Sequence, residues 1–221
     1  VKTIADIHQK HNTKRVIVEF ISNLNVKPAV VQKFIDLTKQ YKNIDWIISG
    51  SLENLGKRAE SSRVELDFEL FETNLDNILS NEHIKVQILP TMNILSIADH
   101  ADFVDWVFTK FLKLRGMDRL TKSWGATMNS VTYGYMDVGY APTSFGVYID
   151  NAIDMINHHV RNGLAQPYIN HLKDIKKRLG TLRNEKTIKD IKEFFEGQSK
   201  FHDIDYVSIF PELEEVFDEN R

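Results

Sequence analysis

IDWIISGSLENLGKRAESSRVELDFEL, residues Ile44 to Leu70, is the stretch whose reading decides the fold. Its first part, Ile44 to Ser49, is an apolar, β-branched run too short for a helix and reads as a strand. A Gly-Ser pair, Gly50 and Ser51, follows it. From Arg63 to Phe71 the residues Val64, Leu66, Phe68 and Leu70 alternate with Glu65, Asp67 and Glu69, the pattern of a half-buried strand with an acidic face. In such a strand Asp67 and Glu69, two positions apart, share one side.

On the N-terminal side, spaced apolar positions suggest a short helix within residues 2 to 13. Arg15 to Ser22, RVIVEFIS, reads as a mostly buried strand holding one acid, Glu19. Pro28 opens an apolar-periodic segment, where a helix tolerates proline, so a helix is expected over 28 to 41. Beyond Leu70, Thr73 is expected to cap a helix over 74 to 80, and Ile84 to Leu89 forms a strand stopped by Pro90.

From Ser96 the periodicity becomes helical. Phe103, Val107, Phe111 and Leu114 recur at steps of four, four and three, giving a helix over 97 to 115. The glycine- and aromatic-rich part between Gly116 and Gly146 is expected to be loop-rich, with a strand near 131 to 138. Helices follow at 149 to 160, 167 to 179 and 187 to 196. The tail from Asp203 is acidic, but Tyr206, Phe210, Leu213 and Val216 argue that it docks. The expectation is an α/β (α+β) fold: a mixed sheet over residues 1 to 90 and a mainly helical region over 91 to 221, packed as one globular unit.

Composition narrows the chemistry. The chain has 221 residues, a formal net charge of -3 and no cysteine, which removes disulfides, thiolate nucleophiles and cysteine-bound zinc. Net charge does not imply a nucleic-acid partner, because there is no overall basic field. No run reaches the roughly 18 apolar residues that span a bilayer. A soluble, cytoplasmic protein is expected.

Two carboxylates on one strand face can share a hard cation such as Mg2+, which enzymes of phosphoryl transfer use to neutralise a triphosphate. A Gly-Ser at a strand end lets a phosphate approach the backbone and offers it donors. On these residues the stretch resembles the nucleotidyltransferase superfamily: helix 28 to 41, WIISGS with Gly50 and Ser51, LENLGKRA, then LDFEL with Asp67 and Glu69. The resemblance implies a metal-dependent transferase acting on a nucleoside triphosphate, with Asp67 and Glu69 as catalytic metal ligands and Gly50 and Ser51 at the nucleotide's phosphates. The later strand that would supply a third acid holds Gln87 instead.

Two other readings cover nearly the same residues. RVIVEFISN, a helix and YKNIDWIISGS resemble the opening of family 2 glycosyltransferases, which use nucleotide sugars. Aspartates expected before Gly50 are replaced there by Ile48 and Ser49, and only Asp137 offers a downstream acid. The order strand, helix, strand, strand, helix, strand is also that of a ferredoxin-like binding or assembly module, in which residues 44 to 71 are a hairpin and its acids face water.

The remaining candidates favour structure over chemistry. His100 lies among Asp99, Asp102 and Asp105, yet helical geometry separates those neighbours. His158 and His159 are adjacent on a helix and cannot both face one ligand, with or without His171. Lys173, Lys176, Lys177, Arg178 and Arg183 are interleaved with acids and read as a solvated face. Trp124, Tyr133, Tyr135 and Tyr140 could stack a base or sugar, with packing the simpler expectation.

Overall fold

The computed structural model describes residues 16 to 115, 129 to 130, 134 to 160 and 165 to 218. The helix expected within 2 to 13, most of the strand near 131, and the rings of Trp124 and Tyr133 lie outside those residues. The chain forms two compact units, and the boundary is not a single cut near residue 90. Of the described residues the first unit holds 16 to 51, 67 to 89 and 109 to 115; the second holds 52 to 66, 90 to 108, 129 to 130, 134 to 160 and 165 to 218.

In the first unit, β1 (Val16–Ser22), β2 (Ile44–Ser51) and β3 (Ile84–Leu89) form one sheet in the order β1-β2-β3. Both pairings are parallel, with Val16 beside Ile44 and Trp46 beside Ile84. The class is α/β as expected, and this sheet is parallel rather than mixed. That removes the ferredoxin-like arrangement, which needs residues 44 to 71 to fold back as a hairpin.

Parallel neighbours cannot be joined by a tight turn, so the connections carry helices. These are α1 (Pro28–Gln40) between β1 and β2, and α3 (Phe68–Leu79) before β3. Both lie on the same side of the sheet. Phe34 of α1 meets Phe20 and Trp46 edge to face, at 5.5 and 6.0 Å between ring centres. Phe71 of α3 lies over Gly50, where an added Cβ would sit 3.5 Å from its ring and 3.1 Å from Ile88. Trp46, Ile84, Val86, Phe71, Leu75 and Ile78 are all at most 1% exposed, and each such side chain contributes about 1.5–3 kcal/mol by leaving water.

The other side of the sheet is not covered along β1, whose residues alternate between half-buried and exposed. Ile17 and Ile21 are 58% and 68% exposed. The mostly buried β1 expected from its composition is therefore an edge strand with one wet face.

The strand expected over 63 to 71 does not form. Residues 63 to 66 turn, with Glu65 at φ 70°, and α3 starts at Phe68, six residues before the expected helix at 74. Thr73, the expected cap, lies inside that helix. Alternation misled here because Phe68, Phe71 and Leu75 also satisfy a helical stripe. The β1–α1 loop fixes the register: Asn74 donates to the carbonyls of Leu24 and Val26 at 2.8 and 2.7 Å, and Asn25 Oδ1 accepts from the Asp67 amide at 3.3 Å.

The second unit contains α2 (Gly56–Ser62), a two-residue parallel pair β4 (Thr91–Met92) and β5 (Asn129–Ser130), and helices α5 (Gly146–His159), α6 (Gln166–Arg178) and α7 (Glu185–His202). Between β4 and β5 runs α4 (His100–Arg115), which contributes residues to both units. Short helices α8 (Tyr206–Ile209) and α9 (Leu213–Val216) close the chain, with Tyr206, Phe210, Leu213 and Val216 buried, so the tail docks as its apolar residues indicated. Tyr135, expected on a strand, sits in a turn.

Asn74 ties one buried and one half-buried loop carbonyl to α3. Asn74→Ala is expected to lower unfolding stability by about 2 kcal/mol, because both carbonyls lose their donor. Urea denaturation with an unchanged slope checks this.

Candidate functional site

Asp67 and Glu69 do not stand on a strand. Asp67 is the N-cap of α3, and its carboxylate accepts the Leu70 amide at 2.9 Å. Glu69 lies in the first helical turn, where a carboxylate offsets the positive end of the helix dipole. Two positions along a helix point in divergent directions, so the shared face that made them a metal pair is gone. Among the described residues no group of three or more histidine and acidic side chains could hold a metal ion.

Gly50 and Ser51 are not a phosphate turn in this geometry. Both are within β2, paired to Ile88 and Leu89 of β3, and Gly50 also pairs with Ser22 of β1. Its missing side chain makes room for Phe71 and Ile88, which explains the glycine by packing. Gln87, standing where a third acid was looked for, is part of a different arrangement.

That arrangement joins all three strands on the face away from α1 and α3. Ser49 Oγ donates to Glu19 Oε1 at 2.5 Å. Gln87 Nε2 donates to Glu19 Oε1 at 2.8 Å and to Ser49 Oγ at 2.6 Å. Glu19 is exposed, Gln87 half-buried and Ser49 wholly buried, so the cluster runs from solvent inward. Two of its three bonds converge on one carboxylate oxygen, and all three use donors of Ser49 and Gln87. Among the described residues Glu19 Oε2 and Gln87 Oε1 remain as acceptors, with the exposed Ile17 and Ile21 two positions either side of Glu19. The signal in the sequence was a polar residue interrupting the apolar run of each strand: Glu19 in VIVEFIS, Ser49 in IDWIISGS and Gln87 in IKVQIL. Nothing but pairing register could show that they meet.

In the second unit the other candidates are mostly accounted for by structural bonds. His100 is 1% exposed, and its Nε2 lies 2.8 Å from the Tyr168 hydroxyl; burial lowers its imidazole to about 3 and pushes the Tyr168 hydroxyl far up. His159 Nε2 lies 2.7 Å from Asp105, while its ring stacks on Phe108 at 5.1 Å. Asp99 binds Arg58 at 2.7 Å, and Arg58 also bonds both oxygens of Glu212 and lies over the Phe210 ring. Burial raises the Asp99 carboxyl, with Arg58 opposing that shift.

The basic run is largely paired. Lys176 reaches Asp150, Lys177 reaches Asp174, and Arg178 grips Asp137, which is 1% exposed and also caps the Gly139 amide. Arg183 donates to the carbonyls of Tyr140, Val216 and Asp218. Asp137, the downstream acid of the glycosyltransferase reading, is thus occupied by Arg178.

No helix among the described residues is long and apolar enough to cross a membrane. No known family, curated protein or solved structure matches the chain significantly.

Asp67→Ala is expected to cost about 1 kcal/mol through the lost cap, and Glu69→Ala only a few tenths. Chemical denaturation of both checks this. His100 supplies a pH dependence: burial holds its folded pKa below the ordinary imidazole value of 6.5, so its share of stability is complete above 6.5 and is lost as pH falls toward about 3. Between pH 6.5 and 5, ahead of most carboxylate protonation, stability is expected to fall with a slope approaching one proton, and His100→Phe is expected to flatten that slope. Unfolding titrations across that window measure it.

Proposed function

We propose that the first unit is a small-ligand binding module whose site is the Glu19–Ser49–Gln87 cluster on the open sheet face. The observation that carries this reading is the convergence of three polar side chains, one per strand, beside exposed isoleucines. In parallel sheets ligands gather toward the carboxyl ends of the strands, and Ser49 and Gln87 lie in the last halves of theirs. The unused groups are acceptors and one of them belongs to a carboxylate. The ligand class is therefore rich in donors: an organic ammonium or guanidinium compound whose apolar body covers Ile17 and Ile21.

The metal-dependent transferase acting on a nucleoside triphosphate, and the glycosyltransferase acting on a nucleotide sugar, are kept as rival proposals with their own outcomes below. Neither has a geometric observation in its favour: the acids of the first stand at a helix start, and Asp137 of the second is bonded to Arg178.

The test is a titration followed by the side-chain amide resonances of Gln87. The panel holds alkylammonium and guanidinium compounds, nucleoside triphosphates with Mg2+, and nucleotide sugars. The expected result is a saturable shift with a donor-rich cation that disappears in Glu19→Gln, which keeps the shape but removes the charge. Cation binding that persists in Glu19→Gln and Ser49→Ala, or no cation binding at millimolar concentration, would sink the proposal. A Mg2+-dependent triphosphate response lost in Asp67→Ala would return the transferase to first place, and a response to nucleotide sugars alone would favour glycosyl transfer.

A further inference from the structure

Within the second unit, the face of α7 that carries Lys192, Phe195, Glu196, Ser199 and Lys200 is concave rather than filled. These residues stand at i, i+3, i+4, i+7 and i+8 and so share a stripe. The chain reverses after α7 at Asp203, whose φ of 55° is left-handed, and returns over the stripe with the start of α8. Between the stripe, the segment from Asp205 to Val207 and Phe217 lies a cleft of about 340 Å³. That is at the small end of the range for ligand pockets, roughly 300–1,000 Å³, and suits a small metabolite.

The cleft has an aromatic floor. Phe195 and Tyr206 are 3% and 6% exposed, and their rings meet edge to face at 5.4 Å between centres. Phe217 tilts against Phe195 at 6.0 Å. The Tyr206 hydroxyl donates to the Ser61 carbonyl at 3.3 Å, so the floor offers ring carbon with its one hydroxyl already bonded. Such a floor takes a flat apolar group.

The rim carries both signs of charge. Lys192, Glu196 and Lys200 are exposed and alternate in sign at i,i+4 spacing, yet none of them bonds another described residue. At the same spacing on this helix Lys189 and Glu193 do meet, at 3.9 Å. Asp205, on the opposite lip, gives one carboxylate oxygen to the Ser208 amide at 3.1 Å and keeps the other. Two ammonium groups and two carboxylates cancel, so neither a simple anion nor a simple cation is the complement of this rim. A small compound holding both charges is.

We infer that the cleft binds a free α-amino acid with an aromatic side chain. Its ring lies on Phe195, Tyr206 and Phe217, its carboxylate is met by Lys192 or Lys200, and its ammonium by Glu196 or Asp205. This site stands independently of the Glu19–Ser49–Gln87 cluster on the sheet.

Titration of the 221-residue chain, followed by the methyl resonances of Val207 at the cleft wall, tests this. The probes are L-tryptophan, L-phenylalanine, indole-3-propionate, which lacks the ammonium, and tryptamine, which lacks the carboxylate. The expected result is a saturable shift with at least one of the two amino acids at millimolar concentration or below. Each single-charge analogue should bind about tenfold more weakly than tryptophan. Glu196→Lys should weaken amino-acid binding while leaving indole-3-propionate at least as tight, a divergence that loss of structure would not produce. The double variant Lys192→Glu with Lys200→Glu should likewise weaken amino-acid binding and leave tryptamine at least as tight. The absence of a saturable shift with either amino acid overturns the inference. So does equal binding of the single-charge analogues, or amino-acid binding that neither charge variant changes.

Discussion

Parallel pairing in sequential order is the constraint on which the first unit depends. Each strand must be reached by a crossover, crossovers of one hand all fall on one side, and the sheet is left with one face under the helices and another that is open along β1. The covered face explains most of the apolar sequence: Trp46, Ile48, Val86 and Ile88 point into α1 and α3. Gly50 follows from the same packing, because an added Cβ would crowd Ile88 of β3 at 3.1 Å beneath the Phe71 ring of α3. The other face holds the residues that interrupt the apolar runs. Glu19 is polar on the exposed side of β1, and the buried Ser49 and half-buried Gln87 are satisfied by bonding to it and to each other.

The same constraint decides the role of Asp67. Once the chain from β2 must return through helices to β3, residues 63 to 71 cannot add a neighbouring strand, and an aspartate ahead of an apolar helical stripe becomes a cap. Asn25 and Asn74 then lock the β1–α1 loop to the start and middle of α3. A carboxylate that looked like half of a metal site is instead a helix start, and a glutamine that looked like a missing acid belongs to a polar cluster.

The second unit relies on a different economy of forces. Its buried acids are held by arginine: Glu53 by Arg63, Asp137 by Arg178, and Glu212, together with the half-buried Asp99, by Arg58. Burial raises the Glu53 carboxyl despite Arg63. These pairs join residues distant in sequence, and removing one partner would strand a buried charge, so they constrain how short helices and loops fit together. That accounts for these acids of the second unit without assigning them chemistry.

Sequence by itself determined β1, β2 and β3, the helix after Pro28, the long helices beyond residue 100, and the docking of the acidic tail. Each has a period or a stop signal that depends only on near neighbours. It could not separate strand from helix at 63 to 71, where Val64, Leu66, Phe68 and Leu70 satisfy one period and Phe68, Phe71 and Leu75 the other. Tertiary structure alone decided which face of each strand is wet, that Gly50 is a packing space, and that Glu19, Ser49 and Gln87 meet. The reason is register: side chains thirty and more residues apart become neighbours only when three strands align, and that alignment is set by the helices packed behind them.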